Sequence, residues 1–420
     1  MRSRRFTRPA VAATAIATLA LAACSGGGDG DNEGGGGGGS GPTTLTFAAS
    51  TFGDPGRGPG LEAWLEEFNE SQDDVIVEPA VVPFPTFGQT VLTQMGAGEG
   101  PDLVRFDMPE FASAADAGLL EPLDELVDVG QFELHETPDQ FMFANDTRYG
   151  VIFEASNYAL YHNTDLVPEP PTTFEEFLEA AEENTGGEIY GMAFRHTAQE
   201  ENGMWQDIFN YVVGWGGAFS DGSQLTLNSP EVVEGLEAYQ AVYDADVIPK
   251  GTDAATFRAM FNEGKVAMEI DNGGFVAAVR GANAELPFSV APTPFPVRAQ
   301  SAILAPITVN AASDDTEAAA TFLEWMLQPE NQKSLQLVLG SSSVATVTER
   351  TPEELEESPF LAEVDALTET SVPQVVLGFE ARTPEIRSIV IEEVLRAISG
   401  EVDMQTAMDS AQERASSLVG

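Results

Sequence analysis

Apolar residues along this chain switch repeatedly between two spacings. Leu45-Thr46-Phe47-Ala48 opens as a short strand. After the glycine- and proline-rich stretch from Gly53 to Gly60, Leu61, Trp64, Leu65 and Phe68 recur at i, i+3, i+4 and i+7. That second spacing puts one apolar stripe on one face of a helix. Val75-Ile76-Val77 predicts the next strand, and Val91-Leu92-Met95 a helix stopped by Gly96-Ala97-Gly98. Pro101 to Arg105 predicts a strand entering a polar loop, and Phe111 to Leu120 a helix whose end is marked by Gly118. Strand and helix keep alternating, which predicts α/β layers.

A second stretch starts near Val151. Thr173-Phe174-Glu175-Glu176, behind Pro170-Pro171, has the spacing of a capping box, with Phe174, Phe177, Leu178 and Ala181 as the buried stripe. Ser229-Pro230 predicts a helix start with proline in the first helical position. Phe257 to Asn262 predicts a helix stopped by Gly264, followed by a strand from Val266 to Ile270. A third stretch holds the strand Ile303 to Val309 and a helix after Ser313 carrying Ala319, Phe322, Leu323 and Trp325-Met326. From Pro384 to the end, two amphipathic helices flank Ser399-Gly400, and no segment repeats another.

The first residues follow a different logic. Arg2, Arg4, Arg5 and Arg8 precede an apolar run of 14 residues, Ala10 to Ala23. A bilayer-spanning helix needs about 20 residues, so the run predicts a signal peptide, residues 1–23. Cys24, the only cysteine, follows Leu21-Ala22-Ala23. This arrangement resembles a bacterial lipoprotein signal, which implies that Cys24 is diacylated and anchors the exported protein to the outer face of the cell membrane. Ser25 to Gly41 holds eleven glycines in seventeen residues. Such a run behaves as a flexible coil reaching about 20–25 Å, so residues 24–42 are expected to be a tether. Asp29, Asp31 and Glu33 imitate half a calcium loop, but Ser40 stands where the closing glutamate belongs. No metal is expected.

Size and charge narrow the rest. The 397 residues from Cys24 onward exceed one compact core and predict two lobes. The formal net charge is −49, or −53 without the four leader arginines, and the only lysines are Lys250, Lys265 and Lys333. A field of that sign repels nucleic acid. The charge is spread along the chain, as on a well-hydrated acidic surface. A cleft within it can still be locally basic.

Several segments then line up in order. They are Gly98-Glu99-Gly100-Pro101-Asp102-Leu103, Ala117-Gly118-Leu119-Leu120-Glu121-Pro122-Leu123, Tyr149-Gly150-Val151, Ala159 to Leu166, and Pro171 to Phe177. Gly216-Gly217, Phe261 to Met268 and Glu324-Trp325-Met326 complete the series. The ordered set resembles the extracellular solute-binding proteins of carbohydrate ABC importers, the group that includes maltose-binding proteins. The resemblance runs from about Leu45 to Leu418. It implies an α/β fold of two lobes, with mixed sheets flanked by helices and an interlobe cleft where the chain crosses several times. On that template residues 43–152 and 307–352 form one lobe, and 153–306 and 353–420 the other. It further implies a monomer that captures a mono- or oligosaccharide and delivers it to a membrane permease, with no cofactor and no catalysis.

A sugar presents apolar C–H faces and a ring of hydroxyls, so its site needs aromatic platforms together with carboxylates, amides and arginines. Asp54 and Arg57, after the first strand, are candidates for hydroxyl recognition or simply part of a solvated turn. Arg105 and Asp107 follow the Pro101-Asp102 strand; Asp107 is the foremost ligand candidate, and Arg105 either joins it or pairs with it. Glu154 and Asn157 sit at the first implied crossing, where Ser156 replaces a position often acidic in maltose binders. Phe275, just after Asp271, stands where the family often stacks a tryptophan, and is otherwise a core residue. Trp205 reads as lying in a polar loop and is the better ligand candidate than Trp215, which suits packing. Trp64 and Trp325 belong to helix stripes. Phe379 and Arg382 lie in the last implied interlobe loop.

No H-E-x-x-H, P-loop or G-x-S-x-G is present, and the histidines His135, His162 and His196 are scattered. With 68 carboxylates, a glycosidase-like pair arises by number alone. Two rival readings remain open. One keeps the fold with a polyol, glycerol phosphate or other small solute, which a basic cleft around Arg57, Arg105 and Arg382 would favour. The other is a secreted glycan hydrolase.

Overall fold

The computed structural model describes residues 41–420 apart from 145, 341 and 342. The leader, Cys24 and most of the predicted tether lie outside the described residues. Strands and helices alternate as the spacing predicts. The first helix, Gly58–Ser71, buries Leu61, Trp64, Leu65 and Phe68, the stripe read from the sequence. Ser229 caps the helix Pro230–Asp244 by accepting from the Val232 N–H.

One prediction shifts by a residue. Thr173 accepts from the Glu176 N–H, but the Glu176 carboxylate turns back to the N–H and hydroxyl of Thr172 rather than to the cap itself. A complete capping box forms instead at Thr351 and Glu354.

Among the described residues the main sheet has nine strands. Thr43–Ala48 lies between two parallel neighbours, Val75–Ala80 and Leu103–Arg105. Tyr190–Ala193 runs parallel to Val266–Asn272 at the opposite end. Two long antiparallel strands, Val151–Asn163 and Gln300–Val309, join these regions. Residues 151–157 of the first pair with Gln300–Val309, and residues 158–163 pair with Val266–Asn272 and Phe288–Ala291. All 13 residues of Val151–Asn163 are buried. Its polar members therefore need partners inside the protein. At Pro306 the register of the long pair shifts, as expected where a strand lacks an N–H.

Helices cover both halves and enclose separate cores. One is built on Phe47, Trp64, Phe68, Phe153 and Phe322. Another is built on Tyr158, Trp205, Tyr211, Tyr239 and the helices Thr383–Ile398 and Met404–Val419. A smaller one gathers Tyr161, Phe261, Phe275 and Phe288. The result is a two-lobed α/β fold whose long central strands pass from one lobe to the other.

Candidate functional site

A cavity of about 830 Å³ opens beside the central strands. One wall comes from loops just past Thr43–Ala48, Val75–Ala80 and Leu103–Arg105. The other comes from residues 195–206, the helix Ala254–Asn262 and Asn272. Both walls thus lie beyond the carboxyl ends of parallel strands, where open α/β sheets place their ligands.

Arginine dominates the chemistry. Twelve arginines lie beyond residue 40, and five of them, Arg57, Arg105, Arg195, Arg258 and Arg387, line this cavity. Each reaches two carboxylates. Arg57 Nε meets Asp54 at 3.0 Å while its Nη1 meets Glu154 at 3.0 Å. Arg105 Nη1 meets Asp107 at 2.5 Å and its Nη2 meets Glu154 at 3.1 Å. Glu154, only 2% exposed, is therefore shared by two guanidiniums. Its position on the buried central strand demands that pairing, because an unpaired buried carboxylate is costly.

The far wall repeats the device around Asp271. Arg195 Nη2 approaches it at 3.4 Å, and Arg258 donates to the same oxygen from Nε at 2.8 Å and Nη2 at 2.5 Å. Arg195 also holds Asp207 through its backbone N–H at 2.7 Å and Nη1 at 2.8 Å. Burial opposes ionisation of Asp271, but Arg258 and Arg195 outweigh it and hold its pKa below the usual carboxylate range. Neighbouring Glu269 goes the other way. Burial, reinforced by the Asp271 charge, raises its pKa well above the ordinary value. Both Glu269 oxygens are buried without a hydrogen-bond partner, and Arg258 Nε comes no closer than 3.8 Å. Burial also lifts Asp207 to about 6, against the pull of Arg195.

Arg387 links the walls. Its Nη1 lies 3.7 Å from Glu110 and its Nε 3.3 Å from Glu201. Burial pushes Glu110 up to about 7; Arg387 opposes the shift and the Asp107 charge adds to it.

Two glycines make room for these arginines. A Cβ on Gly203 would stand 2.3 Å from Arg195 Cδ, and one on Gly274 would stand 2.6 Å from Arg57 Nη1. A side chain at either position would displace the guanidinium.

Among the described residues, two polar atoms on the cavity lining have no partner. Arg105 Nε is a buried donor on a residue only 6% exposed. Glu200 Oε2 is a buried acceptor, while the other Glu200 oxygen takes the Ala254 N–H at 2.9 Å. Phe84, 42% exposed, is the only aromatic among the described lining residues.

Of the residues singled out from the sequence, Asp54, Arg57, Arg105, Asp107 and Glu154 come together here. Asp271 stands one layer behind, holding Arg195 and Arg258. The others do not line the cavity. Asn157 donates to the Val364 carbonyl and the Thr368 hydroxyl, so it fastens the central strand to residues 361–371. Trp205 is not in a loop. It lies in the helix Glu201–Gly214, 1% exposed, stacked on Phe219, with its indole N–H donating to the Gln374 carbonyl. Phe275 is 3% exposed and meets Tyr161 and Phe261 edge-on at 5.0 and 5.2 Å, a core role. Phe379 packs against the second core. Arg382, 44% exposed in its side chain, pairs with Glu385 outside the cavity.

Sequence reasoning missed Arg195, Arg258, Arg387, Glu110, Glu200 and Phe84. Scarcity of cations was the available signal. In a chain this acidic, each arginine held in a buried position implies a dedicated set of carboxylates.

Comparison with known proteins agrees with the architecture. The chain is 28% identical over 283 residues to the maltotriose-binding protein of Pyrococcus abyssi, a match covering 64% of this chain and 60% of that protein. It is 25% identical over 397 residues to the sn-glycerol-3-phosphate-binding periplasmic protein of Rhizobium meliloti, covering 86% and 90% of the two chains. The solved structure of maltose-bound T. maritima MalE3 superposes with a TM-score of 0.78 at 21% identity, covering 90% of this chain and all (100%) of that one. At that identity the likeness establishes the fold alone. The family described as bacterial extracellular solute-binding protein matches residues 63–361, and the chain belongs to it.

Proposed function

We propose that this protein is the capture subunit of an ABC importer, binding a mono- or oligosaccharide in the cavity and passing it to a membrane permease. The observation that carries this reading is the unpaired donor on Arg105 and the unpaired acceptor on Glu200, both on residues lining one cavity. A hydroxyl satisfies either, since it both donates and accepts. Asp54, Arg57, Asp107 and Glu154 supply further hydroxyl partners, and Phe84 supplies a face for the sugar's C–H groups. The relative from Pyrococcus abyssi, named for maltotriose, supports the ligand class.

Binding favours a closed arrangement because only that arrangement lets one ligand touch both walls. The lobes proposed are residues 43–152 with 307–352, and 153–306 with 353–420. Most members of the two larger cores divide this way, although Phe153, Ala155, Ala302, Leu304 and Val375 belong to the first core. The protein acts as an exported monomer held to the membrane by lipid on Cys24.

Calorimetry against a panel of mono- and oligosaccharides tests the ligand class. A binder is expected, and Asp107→Asn is expected to weaken it about tenfold while leaving the melting temperature nearly unchanged. Tight binding of a peptide or an inorganic ion, with every sugar silent, would refute the reading. Cys24→Ser is expected to release the protein from membranes without altering its affinity. Retention of the variant on membranes would refute the anchor.

A phosphate-ester ligand is the second reading. The number of arginines, taken without their partners, and the relative from Rhizobium meliloti, named for sn-glycerol 3-phosphate, point to it.

A further inference from the structure

Five arginines around one cavity suggest an anion site, but their partners reverse that conclusion. Every one of the five already pairs with two carboxylates. The eight carboxylates in those pairs, with Glu200, make nine against five guanidiniums, a formal excess of four negative charges. Burial raises three of them, Glu110, Asp207 and Glu269. Even with all three protonated, one negative charge remains in excess. Glu200 stands apart in this set. It is the only cavity-lining carboxylate among the described residues without an ion pair, and one of its oxygens is a buried acceptor with no donor. Around the whole cavity lies a chain of formal charge −49, whose field adds to the local excess.

We infer that this cleft rejects phosphorylated and carboxylated ligands and takes an uncharged or amine-bearing carbohydrate, with Glu200 as the carboxylate that reads the ligand's hydroxyl or ammonium hydrogen. Arg57 and Arg105 serve to hold carboxylates in fixed directions. A guanidinium clamped by two carboxylates has its charge already answered, and an incoming phosphate would have to displace one of them. An ammonium group or a hydroxyl meets no such competition at Glu200. The inference rests on the carbohydrate reading for the ligand's skeleton, while the charge rule stands on the ion pairs alone.

The test is titration calorimetry of the purified protein with matched sets: glucose, glucosamine, glucuronate and glucose 6-phosphate, the same substitutions on maltose, and glycerol beside glycerol 3-phosphate. For the skeleton that binds, the anionic member is expected to bind at least tenfold more weakly than its neutral counterpart at low salt. That gap should narrow as salt is raised. An anionic member that binds as tightly as the neutral one, or more tightly, overturns the charge rule and leaves carbohydrate binding intact. Glycerol 3-phosphate binding with all neutral and amino sugars silent overturns both. Binding of a neutral or cationic solute that is not a sugar removes the carbohydrate reading and upholds the charge rule.

Glu200→Gln keeps an acceptor for the Ala254 N–H and is expected to weaken the best ligand several-fold. Glu200→Lys should shrink the gap between neutral and anionic partners. An unchanged gap in a Glu200→Lys protein that melts normally overturns the role given to Glu200.

Discussion

Two charge networks face the same cavity and share one plan: a carboxylate held between two arginines. Around Glu154, the outer acids Asp54 and Asp107 keep about a quarter of their side-chain surface exposed, 25% and 24%. Around Asp271, the outer acids Asp207 and Glu269 are buried, and neither carboxylate oxygen of Glu269 has a hydrogen-bond partner. The difference separates reading from bracing. Carboxylates in contact with cavity water can exchange it for ligand hydroxyls at little cost. Carboxylates sealed behind their arginines can only fix where those arginines point. A charged residue near a binding site is therefore not by that fact a contact.

The largest expected effect tests the bracing side. Asp271→Ala leaves Arg195 and Arg258 without their shared partner, and unfolding in denaturant should show a loss of about 3–5 kcal/mol. Glu154→Ala should cost less stability, because Asp54 and Asp107 still hold Arg57 and Arg105 beside open water. Equal losses would erase the distinction between the two networks.

Next comes acidity. The folded state holds the Glu110 proton up to about 7, against an ordinary value of 4.5. Its contribution to stability is complete below pH 4.5 and is lost as pH rises through 7, a change on the order of 3 kcal/mol. Asp271, pulled down, has the opposite sign: its contribution is present above the ordinary range and lost as pH falls. Melting curves from pH 5 to 8 for Glu110→Gln should lack the loss assigned to Glu110. An unchanged profile would mean that Glu110 is ionised throughout.

The smallest effect sharpens the same contrast. Burial raises the Glu269 pKa well above its ordinary value and favours its neutral form, so Glu269→Gln should shift stability by no more than about 0.5 kcal/mol. A loss approaching that of Asp271→Ala would show Glu269 to be a charged member of the brace.

Much of the fold was legible because the chain obeys simple periods. The helix Gly58–Ser71, the strand Val266–Asn272 and the helix start at Ser229 follow from apolar spacing and capping chemistry. The near wall was legible too, since Asp54, Arg57, Arg105 and Asp107 follow predicted strands. The far wall was not. In the helix Glu201–Gly214 the apolar period is interrupted by Gln206, Asp207 and Asn210, which suggests a polar loop around Trp205. The structure buries all three polar residues and satisfies them internally: Gln206 with the Tyr158 hydroxyl, Asp207 with Arg195, Asn210 with the Ser301 N–H. A helix wetted by its own protein carries no one-sided stripe, so its period is hidden. The reading of Trp205 as a platform went with it, and the exposed Phe84 escaped notice because prolines flank it.

The strand Val151–Asn163 has a mechanical consequence. It pairs at one end within one lobe's sheet and at the other within the second, and Glu154 lies on it where the first pairing still holds. Turning one lobe against the other loads this strand in torsion. The same stretch of backbone that carries the shared carboxylate is thus a spring between the two halves. On the proposed reading, a solute held by Glu154 and its arginines would gain leverage on the angle between the lobes without any separate linkage.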